Sequence, residues 1–342
     1  MKKKYIHIVL ITLLLTPASL LFCYTYILNI FQDKPGDDYN FRIEFVRSIS
    51  NTNDIIKDKS FGEEIIDWIF GEDIERLVRP MGIINDEKDR IFVLDQGMGD
   101  IVLIDTLDQE LNLLLNEAEE YFPSLVGICK WNENIFLFTD SRRNQIYFFN
   151  LLDNSIEMLN KELTLNQPTG IAYNTLANEI WVVETLNHQI SILDSKGKRI
   201  RIVGTRGTEK GQFNFPTYIW IDKDGIVYVV DSMNFRIQIL NKDGEVLNIF
   251  GEAGDATGYF ARPKGVATDS FGHVYIVDAL YNTIQVFDKE GHFLYYFGTK
   301  GSTKGEFWLP TGIFIDSEDY IYVADSYNSR IQIFKLLSNE QN

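Results

Sequence analysis

One twelve-residue segment recurs along this chain and constrains its fold more than any other feature. "VADSYNSRIQIF" (323–334) has near-copies in "VVDSMNFRIQIL" (229–240) and "IVDALYNTIQVF" (276–287). Alignment on the acidic residue extends the pattern to six copies, spaced 44 to 47 residues apart, each with an isoleucine six residues after the acid. The aligned acids are Asp95, Asp140, Glu184, Asp231, Asp278 and Asp325. Six copies in one register indicate a repeat architecture.

Each copy reads as a series of short strands. Alternating or β-branched apolar stretches are broken by turn sequences such as "DSED" and "DSYNS", and "KDGEVLNIFG" adds a hairpin and a fourth strand. Four strands in about 45 residues is the spacing of a β-propeller blade. We therefore predict an all-β, six-bladed β-propeller with four-stranded blades. The predicted boundaries of blades 1 to 6 are 79–122, 123–167, 168–215, 216–262, 263–309 and 310–337, followed by a tail at 338–342.

The sixth copy lacks a fourth strand of its own. Upstream of the first copy, "NFRIEFVRSIS" (40–50) has the pattern of a strand without a blade. We predict that this strand pairs with blade 6 and closes the ring, since closure removes the open sheet edges. Residues 51–78 then form an insertion whose apolar residues recur every four positions, which predicts a partly helical segment over the channel mouth or packed on the blades.

The N-terminus carries a candidate membrane anchor. A basic tip (1–5) with three lysines precedes an apolar run from 6 to 31, and a short linker follows at 32–39. Twenty-six residues is enough to span a bilayer as a helix, whereas a cleaved signal peptide would be shorter. By the positive-inside rule, we expect a single-pass protein in the cell membrane with the propeller on the extracytoplasmic side.

The linkers between the late copies carry a more specific pattern. "VGTRGTEKGQFNFP", "FGEAGDATGYFARP" and "FGTKGSTKGEFWLP", with "P-x-G-I" and "V-x-D-x-x-N-x-R-I-Q-I-F", resemble the NHL repeat. The resemblance covers roughly 79–337 and is strongest in the last three copies. NHL propellers occur in membrane-anchored extracytoplasmic bacterial proteins, in animal RNA regulators and in an amidating lyase. The resemblance therefore implies a six-bladed ring and leaves the function open.

The charge balance argues against a nucleic-acid partner. The formal net charge is −17, and the residues after the basic tip are more acidic still. A phosphate backbone requires a positive surface that displaces counterions.

Most of the distinctive residues serve the repeat. A short acid at a strand end normally accepts hydrogen bonds from its own turn, so we expect Asp95, Asp140, Asp231, Asp278 and Asp325 to be structural. Arg236 and Arg330 follow two of these acids by five residues and are expected to reach back to them.

Departures from the pattern mark candidate binding residues at the channel mouth. Glu184 replaces Asp, Tyr218 replaces Gly, and Trp220 follows two residues later, while Trp308 lies in the last linker. We take these four residues, with Arg236 and Arg330, as the candidate set. Ordinary drift, with Tyr218 packing on its loop, is the alternative explanation.

Two function classes remain open. The first is a binding module without catalytic residues or cofactor, whose partner is an envelope or extracellular protein, a peptide or a glycan that stacks on aromatic side chains. The second is a hydrolase or lyase that uses calcium bound by carboxylates at the same mouth. The histidines His188, His273 and His292 occupy different loop positions, so we expect no zinc site.

Overall fold

The computed structural model describes residues 41–55, 76–115 and 122–338. In these residues the strands form six four-stranded antiparallel sheets and one two-stranded parallel ladder. Each sheet is one blade, and its strands are named from the innermost to the outermost. The all-β, six-bladed propeller predicted from the repeat is confirmed.

The blades follow one another along the chain. Blade 1 contains β2 (Pro80–Asn85), β3 (Arg90–Asp95), β4 (Asp100–Asp105) and β5 (Glu110–Leu113); blade 2 contains β6 (Leu125–Lys130), β7 (Ile135–Asp140), β8 (Gln145–Asn150) and β9 (Ser155–Met158). Blade 3 contains β10 (Pro168–Asn174), β11 (Glu179–Glu184), β12 (Gln189–Leu193) and β13 (Arg199–Val203); blade 4 contains β14 (Pro216–Ile221), β15 (Val227–Asp231), β16 (Arg236–Leu240) and β17 (Val246–Phe250). Blade 5 contains β18 (Pro263–Thr268), β19 (Val274–Asp278), β20 (Thr283–Phe287) and β21 (Phe293–Phe297); blade 6 contains β24 (Ile313–Ile315), β25 (Tyr320–Asp325), β26 (Arg330–Ser338) and β1 (Phe41–Ile49). The ladder between blades 5 and 6 pairs β22 (Thr299–Lys300) with β23 (Glu306–Phe307), and short 3-10 helices cover Thr52–Asp54, Thr185–Asn187, Ser232–Asn234 and Ser326–Asn328.

The ring closes through the N-terminal strand. β1 pairs antiparallel with β26, with Phe41 opposite Ser338 and Ile49 opposite Ile331. The strand that the sequence placed at 40–50 thus supplies the outer strand of blade 6. Because the first and last parts of the propeller share one sheet, the ring is held as a single unit.

The linker glycines are required by the packing of a buried phenylalanine. Gly204, Gly251 and Gly298 have φ values of +89°, +92° and +87°, a region that favours glycine. A Cβ at each would overlap with the ring of a fully buried phenylalanine nine residues later, respectively Phe213, Phe260 and Phe307. This contact explains the spacing of glycine and phenylalanine in the three NHL-like linkers.

The two ends of the ring differ in the loops that form them. We call the upper face the end that carries the loops preceding the innermost strands and the loops between second and third strands. The lower face carries the turns between first and second strands and between third and fourth strands. Phe41, the first described residue of β1, pairs with the C-terminal end of β26 and so lies at the lower face.

Two sequence predictions fall largely outside the described residues. These are the 6–31 anchor and the helical segment within the 51–78 insertion, of which 56–75 are not described. Among the residues that the structure does describe, no helix has the length and apolar character needed to cross a membrane.

Candidate functional site

The six repeated acids lie at the upper face and are fully buried. Asp278 is representative: its carboxylate accepts backbone hydrogen bonds from Ala261 and Arg262 in the preceding loop and from Leu280 and Tyr281 in its own turn. Asp95 makes the same pattern in blade 1. Each acid therefore ties two loops of one blade together, because a buried carboxylate must have its hydrogen bonds satisfied.

Arg236 and Arg330 act as clamps in blades 4 and 6. Arg330 Nε donates to Asp325 at 2.7 Å, and its two terminal nitrogens donate to the carbonyls of Ser302, Thr303 and Glu306 at 2.8 Å. Arg236 makes the equivalent set with Asp231 and the linker that precedes blade 4. Four of the five N–H donors of each guanidinium are used in these contacts, so both side chains serve the scaffold.

Glu184 occupies the same position in blade 3 but makes a different network. Its carboxylate accepts from Ser191, from Gln189 at 2.9 Å and from Arg199 at 2.9 Å, and the residue has no exposed surface. The longer side chain reaches two residues of β12 and one of β13. Glu184 is thus buried inside blade 3 at the upper face and is not exposed at the channel mouth, where the sequence placed it.

Hydroxyl pairs join neighbouring blades around the upper end of the channel. Thr311 shares a hydrogen bond of 2.7 Å with Ser326, which in turn donates to the carbonyl of Pro80 in blade 1. Equivalent pairs are Thr169 with Thr185 in blade 3 and Thr217 with Ser232 in blade 4. The sequence reasoning missed these pairs, although their positions next to Pro-x-Gly and next to the repeated acid recur in the alignment.

A second set of contacts latches the loops across blade boundaries. Asn144, His188 and Asn282 each have positive φ. Each side chain accepts the N–H of the residue before the proline that leads into the next innermost strand, and these donors are Gln167, Phe215 and Leu309. For His188 the acceptor is Nδ1, 3.0 Å from the backbone nitrogen of Phe215. Burial, followed by the nearby Arg206, lowers the pKa of His188, which keeps Nδ1 free to accept.

Tyr218 and Trp220 lie in the central channel. Trp220 Nε1 donates to Thr268 Oγ1 of β18 at 2.9 Å, and its ring packs edge-on against Phe314 of β24 at 5.7 Å. Tyr218 bonds to the backbone of Ile313, and burial raises its pKa to about 12. Both side chains therefore extend from blade 4 across blade 5 to blade 6.

A cavity of about 150 Å³ remains in the channel. Its walls come from innermost strands and include Ile84, Cys129, Ala172, Trp220 and Phe314, with Lys130 as a charged member. No residue of β18 lines this cavity, as expected if Tyr218 and Trp220 cover that wall. Trp220 is therefore part of the channel filling, below the mouth where the sequence placed it.

Trp308 is the predicted aromatic residue that reaches solvent at the upper face. It is 47% exposed, and its ring lies 5.8 Å from that of Tyr327, which is 52% exposed. The backbone holds the pair in place, because Trp308 donates its N–H to Asp325 and accepts the N–H of Tyr327. The Arg79 guanidinium of blade 1 lies over the Tyr327 ring at 5.8 Å. Sequence reasoning missed Tyr327 and Arg79.

The histidines have local partners. His273 pairs with Asp269 at 2.6 Å and His292 with Asp288 at 2.8 Å, both in lower-face turns, while His188 lies at the upper face. Within the described ranges, no three His, Cys, Asp or Glu side chains converge as metal ligands would.

The comparisons with known proteins agree with this architecture. Residues 266–341 match a family described as "6-bladed beta-propeller". No curated protein matches the sequence. The fold and its upper-face loops define the chain as a six-bladed β-propeller.

Solved structures of low sequence identity share the fold. An auxiliary nutrient binding protein from Bacteroides thetaiotaomicron is 13% identical with a TM-score of 0.64, over 89% of this chain and 78% of that one. Virginiamycin B lyase from Staphylococcus aureus is 17% identical with a TM-score of 0.56, over 87% of this chain and all of that one. A chain of a nidogen/laminin complex is 14% identical with a TM-score of 0.56, over 83% and 98% of the two chains. These neighbours are a binding protein, an enzyme and part of a protein complex, so they show the fold alone.

Proposed function

We propose that this chain is a binding module that holds a glycan or peptide at the upper mouth of its channel. The observation that carries the proposal is the exposed Trp308–Tyr327 pair, held by backbone hydrogen bonds beside Arg79. Fixed aromatic faces suit sugar rings and peptide side chains, because little conformational entropy is lost on binding.

The filled channel supports binding at the mouth over passage through the ring. Tyr218 and Trp220 occupy the channel beside β18, and the cavity that remains is smaller than typical small-molecule pockets of about 300 Å³ or more. An elongated ligand is therefore expected to lie across the upper face. One solved neighbour is described as a nutrient binding protein and another belongs to a protein complex, in line with this class of function.

The proposal includes attachment to the extracytoplasmic side of the cell membrane through the apolar segment at 6–31. β1 begins at the lower face, the end of the ring opposite the upper mouth. Alkaline extraction of cell membranes tests this part of the proposal. The full chain should stay with the membrane pellet, and release into the supernatant would contradict an anchor.

Binding is tested by applying the full chain in detergent to arrays of oligosaccharides and peptides. Trp308→Ala is expected to weaken binding about 5- to 100-fold, since the stacking and aromatic burial lost at a half-exposed ring together contribute about 1–3 kcal/mol. The matched control is Phe271→Ala, which removes a half-exposed aromatic from a lower-face turn and should leave affinity unchanged. Equal affinities for the wild type and Trp308→Ala would overturn the upper mouth as the binding site.

A further inference from the structure

Blade 5 lacks the hydroxyl pair that its neighbours use at the channel mouth. Where blades 3, 4 and 6 have a threonine before the glycine or tyrosine of the innermost strand, blade 5 has Lys264. Where those blades have a serine or threonine after the repeated acid, blade 5 has Ala279. The two changes are complementary, because alanine removes the partner hydroxyl and leaves room for a longer side chain. Blade 5 thus has an amino group where its neighbours have a hydroxyl pair that bonds to the next blade.

Lys264 has no counter-charge in the described structure. It lies at the upper end of β18, and its Nζ makes neither an ion pair nor a hydrogen bond with any described residue. Burial lowers the pKa of Lys264 to about 8, and the nearby Arg262 guanidinium adds to the shift. An ammonium that is partly buried and has no counter-charge is disfavoured, so a ligand that supplies a negative charge would gain binding energy there.

The surroundings of Lys264 favour an anion. In the described parts of the upper-face loops, six acids lie outside the buried repeat positions, namely Asp54, Glu162, Glu209, Glu252, Asp255 and Glu306. The basic residues of these loops, with Lys264 at the start of β18, number eleven and are Arg76, Arg79, Arg142, Arg143, Lys161, Arg206, Lys210, Arg262, Lys264, Lys300 and Lys304. In the lower-face turns acids outnumber the lysines, and these acids include Asp86, Glu87, Asp89, Asp222, Asp224, Asp269, Asp316, Glu318 and Asp319. Among the described residues, cations therefore outnumber these acids at the upper face, whereas acids predominate at the lower face, and this contrast favours an anionic ligand at the upper end.

The position of the aromatic pair narrows the class of anion. Lys264 belongs to blade 5, Trp308 and Tyr327 to blade 6, and Arg79 to blade 1, so a cation, two exposed rings and a second cation occupy three consecutive blades. A chain of sugar rings with carboxylate groups matches this order, because the rings stack on the aromatic pair and the carboxylates pair with the cations. A single small anion would use the cations without the rings.

We propose that the upper mouth binds a glycan containing uronic acid, with one carboxylate received by Lys264. This inference rests on the proposed binding function and specifies its ligand.

The test measures binding of tetrasaccharides to the full chain in detergent by titration calorimetry. The acidic probes are tetramers of galacturonate, mannuronate and glucuronate, and the neutral probes are the corresponding tetramers of galactose, mannose and glucose. At least one acidic tetramer should bind more tightly than its neutral counterpart. Lys264→Met should lose about 10- to 100-fold in affinity for it, the range expected when a hydrogen bond to a charged group is removed.

Two further variants and a labelling measurement distinguish a loss of affinity at Lys264 from misfolding of the variant. Lys264→Arg keeps the charge and should retain most of the affinity, and the control Lys196→Met, on an exposed lower-face turn, should match the wild type. Acylation followed by mass spectrometry reports on the wild type directly. The acidic tetramer should protect Lys264 from acylation and should leave Lys196 unprotected.

The outcomes separate this inference from the function on which it rests. Equal affinity for acidic and neutral tetramers, no binding of any acidic tetramer, or unchanged affinity in Lys264→Met would each overturn the uronate ligand. If neutral saccharides or peptides then bind and Trp308→Ala weakens them, the binding function stands alone. If Trp308→Ala changes no binding at all, both proposals fail.

Discussion

Blades 4 and 6 differ from blade 5 in how their upper loops are held. In blades 4 and 6 an arginine joins the repeated acid to three carbonyls of the preceding linker, and a hydroxyl pair ties the blade to the next one. Blade 5 keeps the acid, the linker glycine and the buried phenylalanine, but it has Thr283 in place of the arginine and the pair Lys264 and Ala279 in place of the hydroxyls.

The difference shows which contacts a blade needs. Asp278 of blade 5 satisfies its carboxylate with four backbone N–H groups, so the loops stay in place without a guanidinium. Thr283 instead bonds to the carbonyl of Phe297 within its own blade. The acid and the glycine are thus required by every late blade, whereas the clamp and the hydroxyl pair can be replaced. A position that no longer carries the arginine clamp or the hydroxyl pair is available for contact with a ligand.

The largest effect is expected from neutralising the repeated acid in the two kinds of blade. Asp325→Asn should lower the free energy of unfolding by about 3–5 kcal/mol, because it leaves the nearly buried Arg330 without its counter-charge. Asp278→Asn weakens only backbone hydrogen bonds and should cost about 1–3 kcal/mol. Equilibrium unfolding of the variants in guanidinium chloride measures both free-energy differences.

A matched control for these variants is Asp243→Asn in an exposed lower-face turn, which should stay within about 0.5 kcal/mol of the wild type. Equal losses for Asp325→Asn and Asp278→Asn would show that the arginine clamp contributes nothing beyond the shared backbone contacts.

A smaller effect is expected from giving blade 5 the hydroxyl pair of its neighbours. Lys264→Thr combined with Ala279→Ser should raise the free energy of unfolding by about 0.5–1.5 kcal/mol, since a hydrogen bond replaces an unpaired cation. The two changes should be coupled by about 0.5 kcal/mol or more in a double-mutant cycle. Strict additivity in thermal and guanidinium unfolding would argue against a hydroxyl pair in blade 5.

The smallest effect concerns the latch between blades 3 and 4. The folded-state pKa of His188 is lowered, so between the folded and unfolded values the unfolded chain binds more protons and stability rises with pH. Wild-type stability should therefore fall as pH drops below the unfolded value of about 6.5. His188→Asn, which copies Asn144 and Asn282, keeps the acceptor and should lose this part of the pH dependence. The exposed His292→Asn is the control, and a pH profile unaltered by His188→Asn would contradict the latch.

The sequence was sufficient to predict the ring of blades but not the side chains that lie at the channel mouth. Blade number, the closing strand and the pairing of Arg236 and Arg330 with their acids follow from the repeat, because each is written into residues that recur at fixed spacing. The orientation of single side chains does not recur. Trp220 was placed at the mouth and lies in the channel, where Thr268 and Phe314 receive it.

Lys264 was missed for a different reason. Its signal is present in the alignment, where the residues before the Gly or Tyr position are Met81, Val126, Thr169, Thr217, Lys264 and Thr311. A lysine among threonines gains meaning only once the hydroxyl pairs are seen, since they show what blade 5 has given up. The side-chain pairs seen in the structure therefore distinguish a neutral substitution from a position that has gained a new role, which a single sequence cannot do.

A crystal structure of the full chain with the tightest-binding uronate tetramer tests the central claim most directly. The account predicts sugar rings over Trp308 and Tyr327 and a carboxylate oxygen at about 2.8 Å from Lys264 Nζ. A tetramer bound at the lower face, or at the upper face with Lys264 still unpaired, would contradict it.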